Sequence, residues 1–366
     1  MENYILVNAT ALDSRGSLTV LRNFLVDIKT NERFLDESHI KLFVLVSVRE
    51  MEVFNSGCCN IIYRPFPKKS IFHKWYFERY ILKSIIKEFN ISSYLSLQNI
   101  GIKIKDIMQY CLIHQAIPFT KLKKGDIEFK NIIKYSVLYS AMLKNQINYN
   151  NTIIVQTNWM RDALLSKYKY VGKIVVLPPV VSNISKTNNS LPPIVEKDLT
   201  NNHVKFLYVT NIEKYKNNKR LIDAFQIYNS NNKRKAILYL TIKGESNEFI
   251  KCIGKIEHES MFTLYKNVDV LIFPSLTESL GLPLIEAQEA GLDIIAADLP
   301  YAHELCPEKT IYFNPYDVQS IITSIESYMS ELRAIEQNLN TKGYNGKGYI
   351  DYIKLIHEDF LSHNMV

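Results

Sequence analysis

The chain has 366 residues, 47% hydrophobic and 22% charged, the balance of an ordinary soluble globular protein and not of a disordered one. That length exceeds one typical core and suits two domains. The formal net charge of +7 fits an anionic membrane face, a phosphorylated substrate or nucleic acid, without choosing among them.

No stretch approaches the ~20 continuous apolar residues of a membrane span. Met1 to Val7 lacks the basic region of a signal peptide and enters a strand at once. The five cysteines form no Cys-x-x-Cys or Cys/His ligand spacing, which argues against zinc and a disulfide framework and for a reducing cytosol.

In chain order, Tyr4–Asn8 reads as a strand, followed by a loop containing Gly16 and a helix whose Leu18, Leu21, Leu25 and Ile28 keep helical spacing. Gly16 would let backbone approach a ligand closely, but the loop is no GxGxxG fingerprint, so a dinucleotide cofactor is not expected. Lys41–Val48 and Asn60–Arg64 read as further strands, the first apolar enough for burial on both faces of a parallel sheet. From Lys68 to Phe89 basic and aromatic residues interleave. That pattern fits a membrane-docking segment with Lys68, Lys69 and Lys74 toward anionic lipid. It equally fits a helix packing Trp75, Tyr76 and Ile81 on the core with its lysines solvated. Ser93–Leu97 and Ile107–Ile113 are strands, and His114 follows the second, either facing a ligand or as a satisfied structural histidine. Asn131–Asn145 is a helix, Thr152–Gln156 a strand, and Thr157 or Asn158 caps the next helix.

Asn183 to Asn202, rich in Asn, Ser, Thr and Pro, reads as a linker. It divides an N-terminal domain (1–182) from a second α/β domain (203–345), with a C-terminal helical segment (346–366) that could cross back to the first. The second domain restarts the alternation with Val204–Val209, a loop through Lys216 and a helix from Arg220. Further on come a helix over Val318–Asn338, a Gly-rich break at Lys342–Gly348 and a last helix to Leu361. The whole reads as two Rossmann-like, doubly wound α/β domains facing a central cleft.

Within the second domain, strand Val268–Phe273 leads into a Gly- and Pro-containing turn and a helix opening near Pro283. Glu278 and Glu286 flank that turn with seven residues between them. Unpaired N–H groups at a helix start suit a phosphate. A carboxylate on the loop and another in the first helical turn suit sugar hydroxyls on either side of it, which together describe a nucleotide-sugar. The same residues also fit a plain βα turn with acids at a helix start.

With these pieces in order, the sequence resembles the retaining glycosyltransferases of family 4, with the GT-B fold. The resemblance is carried by Val268 through Ala287 with its two Glu around Gly281-Leu282-Pro283, and more weakly by Tyr215-Lys216-Asn217, Gln156 to Met160 and His114. It implies Glu286 on the ribose hydroxyls and Glu278 on the transferred sugar. Ser279, Leu280, Gly281 and Leu282 would lie near the sugar and diphosphate. Lys216 would neutralise the leaving group, His114 would lie near the anomeric carbon, and Gly16 would approach the donor from the first domain. Many members pair the lysine with a preceding Arg; here the loop reads Thr210-Asn211-Ile212-Glu213, which leaves Lys214, Lys219, Arg220 or backbone to supply the second charge. Leu280 also replaces the commoner aromatic.

The implied activity is retaining transfer of a hexose from a UDP-sugar or GDP-sugar, by front-face attack, with no metal or other cofactor. The acceptor would be a lipid-linked O-antigen or capsule precursor at the inner face of the cytoplasmic membrane, with no nucleic acid as partner. The alternatives are a nucleotide-sugar epimerase of the same fold and a non-catalytic nucleotide-sugar-binding protein.

Overall fold

A computed structural model describes residues 2–13, 15–179, 189–331 and 346–364. It divides into two compact units: Met1–Phe119 with Val137–Val180 and Asn345–Val366, and Thr120–Ser136 with Val181–Tyr344.

The first unit is built on seven strands, β1 (Asn3–Asn8), β2 (Ile40–Val46), β3 (Cys59–Tyr63), β4 (Ser93–Ser96), β5 (Met108–Ile113), β6 (Thr152–Val155) and β7 (Lys173–Val176). Their order is β3-β2-β1-β4-β5-β6-β7, parallel throughout, so the winding direction reverses between β1 and β4. The end of β2 shows no in-and-out alternation. Val44, Leu45 and Val46 are all buried, Val44 and Val46 in the core on one face of the sheet and Leu45 in the core on the other. Helix Arg15–Thr30 buries Leu21, Phe24, Leu25 and Ile28. The C-terminal helix Ile350–Asn364 joins the same core through Tyr352, Ile353 and Ile356. Asp27 accepts from the Ile350 N–H at 2.8 Å, Tyr352 donates to the Leu177 carbonyl at 3.1 Å, and Tyr110 donates to Asp359 at 2.9 Å.

The second unit has six parallel strands, β8 (Val204–Tyr208), β9 (Ala236–Leu240), β10 (Ile250–Cys252), β11 (Val270–Phe273), β12 (Asp293–Ala297) and β13 (Ile311–Phe313), ordered β10-β9-β8-β11-β12-β13. Here the winding reverses between β8 and β11. Helix Asn218–Asn231 buries Leu221, Ala224, Phe225 and Tyr228, and Phe206 meets Phe225 and Tyr328 edge-on at 5.1 and 5.6 Å.

Several expectations are revised. Residues 120–136, expected in the first domain, group with the second unit. Of the expected linker, 183–188 lie outside the described residues, and the remainder holds a helix, Pro193–Asp198, anchored by buried Leu191, Val195 and Leu199. The helix expected over Val318–Asn338 is described as Val318–Glu331, its remainder and most of the Gly-rich break lying outside the described residues. Gly16, expected in a loop, stands in the first turn of helix Arg15–Thr30. Trp75 and Tyr76, one reading of which packs them on the core, are 51% and 41% exposed. The reason is a π-helical turn, Phe77–Ile81, which turns Phe77, Leu82 and Ile85 inward instead.

Candidate active site

The loops after β8 and β11 leave the two strands between which the second sheet reverses its winding. Ligands of open α/β sheets bind outside the carboxyl ends of strands at such a switch point. One loop carries Lys216 and the other Glu278, and Lys216 Nζ donates to Glu278 Oε1 at 2.5 Å. Their side chains are only 14% and 15% exposed, so the charges meet largely out of water.

Each loop is held from behind. Tyr208, fully buried, donates to the Lys216 carbonyl at 2.7 Å, and the Leu276 N–H donates to the Tyr215 carbonyl at 2.8 Å. Asn217 takes up a left-handed backbone (φ 63°), which asparagine tolerates better than bulkier residues. Its Nδ2 donates to the carbonyls of Pro274 (3.2 Å) and Pro315 (2.7 Å), tying the Lys216 loop to the start of the Glu278 loop. Tyr301 donates to the Ser275 carbonyl at 2.6 Å.

Helix Leu282–Glu289 opens from Gly281, whose φ of 69° ends the loop and starts the helix. A Cβ there would stand 3.2 Å from Leu284 Cδ1, so glycine serves both the backbone and the space. Leu280 is buried and Leu282 exposed, while Ser279 sits between Glu278 and Leu280 in the connecting turn. Because the helix begins at Leu282, its first turn holds no acid and Glu286 lies one turn further in, correcting the expectation for that residue. Glu286 is 8% exposed and accepts from the Tyr265 hydroxyl at 2.8 Å. Burial pushes its carboxyl up from the ordinary value, with the Tyr265 hydrogen bond working against that shift. A buried glutamate with one oriented partner is not a helix-start charge.

Of the expected residues, Lys216, Glu278, Ser279, Leu280, Gly281, Leu282 and Glu286 thus come together in the second unit, and Gly16 and His114 belong to the first. His114 follows β5. Its N–H donates to Asn99 Oδ1 at 2.6 Å, and Asn99 Nδ2 meets Nε2 at 3.2 Å, while Nδ1 is buried with no hydrogen-bond partner among the described residues. Burial pushes the imidazole down to about 4, so the ring is neutral at neutral pH. Asn99 itself has φ 65°, and its carbonyl accepts from Tyr139 at 2.5 Å. Sequence reasoning missed Asn99, Tyr265 and Asn217. Only Asn217 carried a signal, as the residue after the lysine of the Tyr215-Lys216-Asn217 match.

The charge expected from Lys214, Lys219 or Arg220 narrows. Lys214 pairs with Glu128 at 3.3 Å and Arg220 with Asp126 at 2.7 Å, whereas Lys219 has no acidic partner among the described residues.

Residues 194–345 match the family described as glycosyl transferases group 1. The O-antigen chain mannosyltransferase RfbU of Salmonella typhimurium is 20% identical over 68% of this chain and 70% of its own length. The GtfA subunit of a UDP-N-acetylglucosamine–peptide N-acetylglucosaminyltransferase from Streptococcus agalactiae is 30% identical over 30% of this chain, a match spanning only 22% of that protein. Among solved structures, sucrose-phosphate synthase from Thermosynechococcus elongatus superposes with a TM-score of 0.64 at 15% identity, covering 90% of both chains. Anabaena HepE, in complex with UDP and glucose, gives 0.62 at 12% identity over 99% of this chain and 100% of that one. These likenesses show the GT-B fold.

Proposed function

From a chain whose residues 194–345 match the glycosyl transferases group 1 family, we propose a transferase that moves a hexose from a nucleoside-diphosphate sugar to a glycan acceptor with retention of configuration. The observation that carries this reading is the Lys216–Glu278 pair on the two loops at the switch point of the second sheet, with buried Glu286 one helical turn beyond. Lys216 and the N–H groups at Leu280 to Leu282 would meet the negative charge that grows on the departing diphosphate. Glu278 would take hydroxyls of the transferred sugar, and Glu286 those of the ribose. Cleavage at the anomeric carbon builds oxocarbenium character there. The leaving phosphate oxygen would accept the proton of the attacking hydroxyl on the same face. Gly16 and His114 are candidate residues of the first unit in this reading, His114 as a neutral imidazole. No metal ion or other cofactor enters this scheme.

The HepE complex favours a UDP-sugar, and the mannosyltransferase relative favours an acceptor of the O-antigen class. The test is incubation of labelled UDP-hexoses and GDP-hexoses with lipid-linked glycan acceptors, the product anomer being read by NMR. Retention supports the proposal and inversion overturns its mechanism. Conversion of donor alone, without acceptor, would identify an epimerase instead.

Such an acceptor would be met at the cytoplasmic face of the membrane. No described helix is long and apolar enough to cross one. Phe72, Trp75, Tyr76, Arg79, Tyr80, Lys83 and Lys87 are exposed at helical spacing, aromatic at one end and basic at the other, the composition of an interfacial helix. Lys68 and Lys74 are engaged by Asp13 and Glu78, so Lys69, Arg79, Lys83 and Lys87 are the cations left for lipid. Flotation with anionic vesicles should be lost when Arg79, Lys83 and Lys87 are changed to Glu; unchanged flotation removes this surface from the account.

A further inference from the structure

Residues 120–136 follow β5 in the chain yet group with the second unit, where they cross the loop that carries Lys216. Thr120 Oγ1 lies 2.6 Å from the hydroxyl of Thr277, the residue before Glu278. Lys123 sits over the Tyr316 ring at 4.8 Å. Asp126 pairs with Arg220 at 2.7 Å, Glu128 with Lys214 at 3.3 Å, and Asn131 donates to Glu213 at 3.2 Å. These contacts differ in weight. The Glu128–Lys214 pair is open to water on both sides, and such pairs contribute little. The Asp126 side chain is only 5% exposed, and its second oxygen is buried without a hydrogen-bond partner among the described residues. Arg220 is therefore its charged partner, and removing either would strand the other.

Arg220 also faces the donor loop. The Nη1 that meets Asp126 donates to Asn217 Oδ1 at 2.8 Å, and the guanidinium lies 5.8 Å from the Tyr316 ring centre. Asn217 is the left-handed pivot beside Lys216, and its amide grips Pro274 and Pro315. An ion pair and then hydrogen bonds thus run from Asp126 through Arg220 and Asn217 to the base of both loops that present Lys216 and Glu278. With Nη1 held by Asp126, Arg220 fixes which way the Asn217 amide points.

We propose that Asp126 and Arg220 are positioning residues for the donor: they act through Asn217 on the placing of Lys216 and Glu278, and Arg220 does not itself supply charge to the diphosphate. The proposal rests on the nucleotide-sugar reading of the site. It gives the 120–136 segment a task, as the strap that keeps the donor loops in register.

The experiment measures binding of UDP and GDP by titration calorimetry, and donor and acceptor KM in the transfer assay, for wild type, Asp126→Asn, the reversed pair Asp126→Arg with Arg220→Asp, and the neutral pair Asp126→Asn with Arg220→Gln. Asp126→Asn should raise the donor KM and weaken nucleotide binding about tenfold, the size of a lost contact to a charged group. Acceptor KM should stay within about twofold, and the reversed pair, which restores the ion pair but puts at 220 a carboxylate that cannot donate to Asn217 Oδ1, should keep the donor-selective loss. If Asp126→Asn does not fold, the neutral pair carries the test, since it buries no lone charge; it should show the same donor-selective loss. Donor KM unchanged in whichever variant folds overturns the proposal. So does a reversed pair that recovers the wild-type donor KM, or donor and acceptor KM values raised alike, which marks a merely structural contact. A wild-type protein that binds neither UDP nor GDP fails the nucleotide-sugar reading itself, a result distinct from either.

Discussion

Lys216 Nζ and Glu278 Oε1 stand 2.5 Å apart although their loops leave different strands, β8 and β11, at the point where the second sheet reverses its winding. The proposed roles assign the two ends of this pair to different parts of the donor, so their loss should look different. Lys216→Met should weaken nucleoside-diphosphate binding and lower transfer by about 10²- to 10³-fold, the usual effect of removing one group that stabilises a developing anion. Glu278→Gln should cut transfer similarly while leaving UDP or GDP affinity within about threefold, since the sugar and not the nucleotide loses its acceptor. Equal losses of nucleotide binding in both variants would show that the pair acts as one unit.

Glu286 gives a pH signature. Burial raises its folded pKa above the ordinary 4.5, so its stabilising contribution is complete below the unfolded value and is lost as pH rises through the folded one. Relative to wild type, Glu286→Gln should therefore gain in melting temperature as pH climbs through that window, and thermal scans across it check this. Nucleotide affinity of the wild type should move the other way, rising as the carboxylate ionises and can accept ribose hydroxyls. A difference in melting temperature that stays flat with pH removes the burial argument.

Gly281 tests the loop geometry. With φ at 69° and Leu284 Cδ1 3.2 Å from where a Cβ would stand, Gly281→Ala should destabilise the protein by about 1–2 kcal/mol. Chemical denaturation measures the change. A Gly281→Ala variant as stable as wild type would mean that the turn relaxes.

Much of this fold is visible in the chain because parallel strands buried on both faces appear as apolar runs, as in Leu42 to Val46 and Val270 to Phe273. The two glutamates are visible for a related reason, since strand, turn and helix follow one another locally. What escapes is side-chain partnership across long separations. Nothing near Asp126 announces Arg220, nothing near Asn99 announces His114, and Tyr265 meets Glu286 only once two helices are placed. Pro283 as a helix start puts Glu286 in the first helical turn, whereas the left-handed Gly281 opens the helix earlier, at Leu282. The π-helical turn at Phe77–Ile81 breaks the periodicity by which inward and outward faces are told apart, so Trp75 and Tyr76 can be read either way.

His114 supplies a second pH prediction. With its pKa pushed down to about 4, the ring does not titrate near neutrality, and kcat/KM should show no limb around pH 6.5 attributable to it. A wild-type limb near 6.5 that disappears in His114→Asn would contradict the neutral assignment.

The central claim is that the second unit holds a nucleotide-sugar through Glu286, Glu278 and Lys216. It is tested most directly by thermal shift against UDP, GDP, ADP and their sugars, on wild type, Glu286→Ala and Glu278→Ala. A fitting nucleotide at ~100 times its Kd should stabilise the wild type by ~2.7 kcal/mol. That gain should vanish in Glu286→Ala and persist for the free nucleotide in Glu278→Ala. A panel in which no nucleotide shifts the wild type, or in which Glu286→Ala responds as the wild type does, would contradict it.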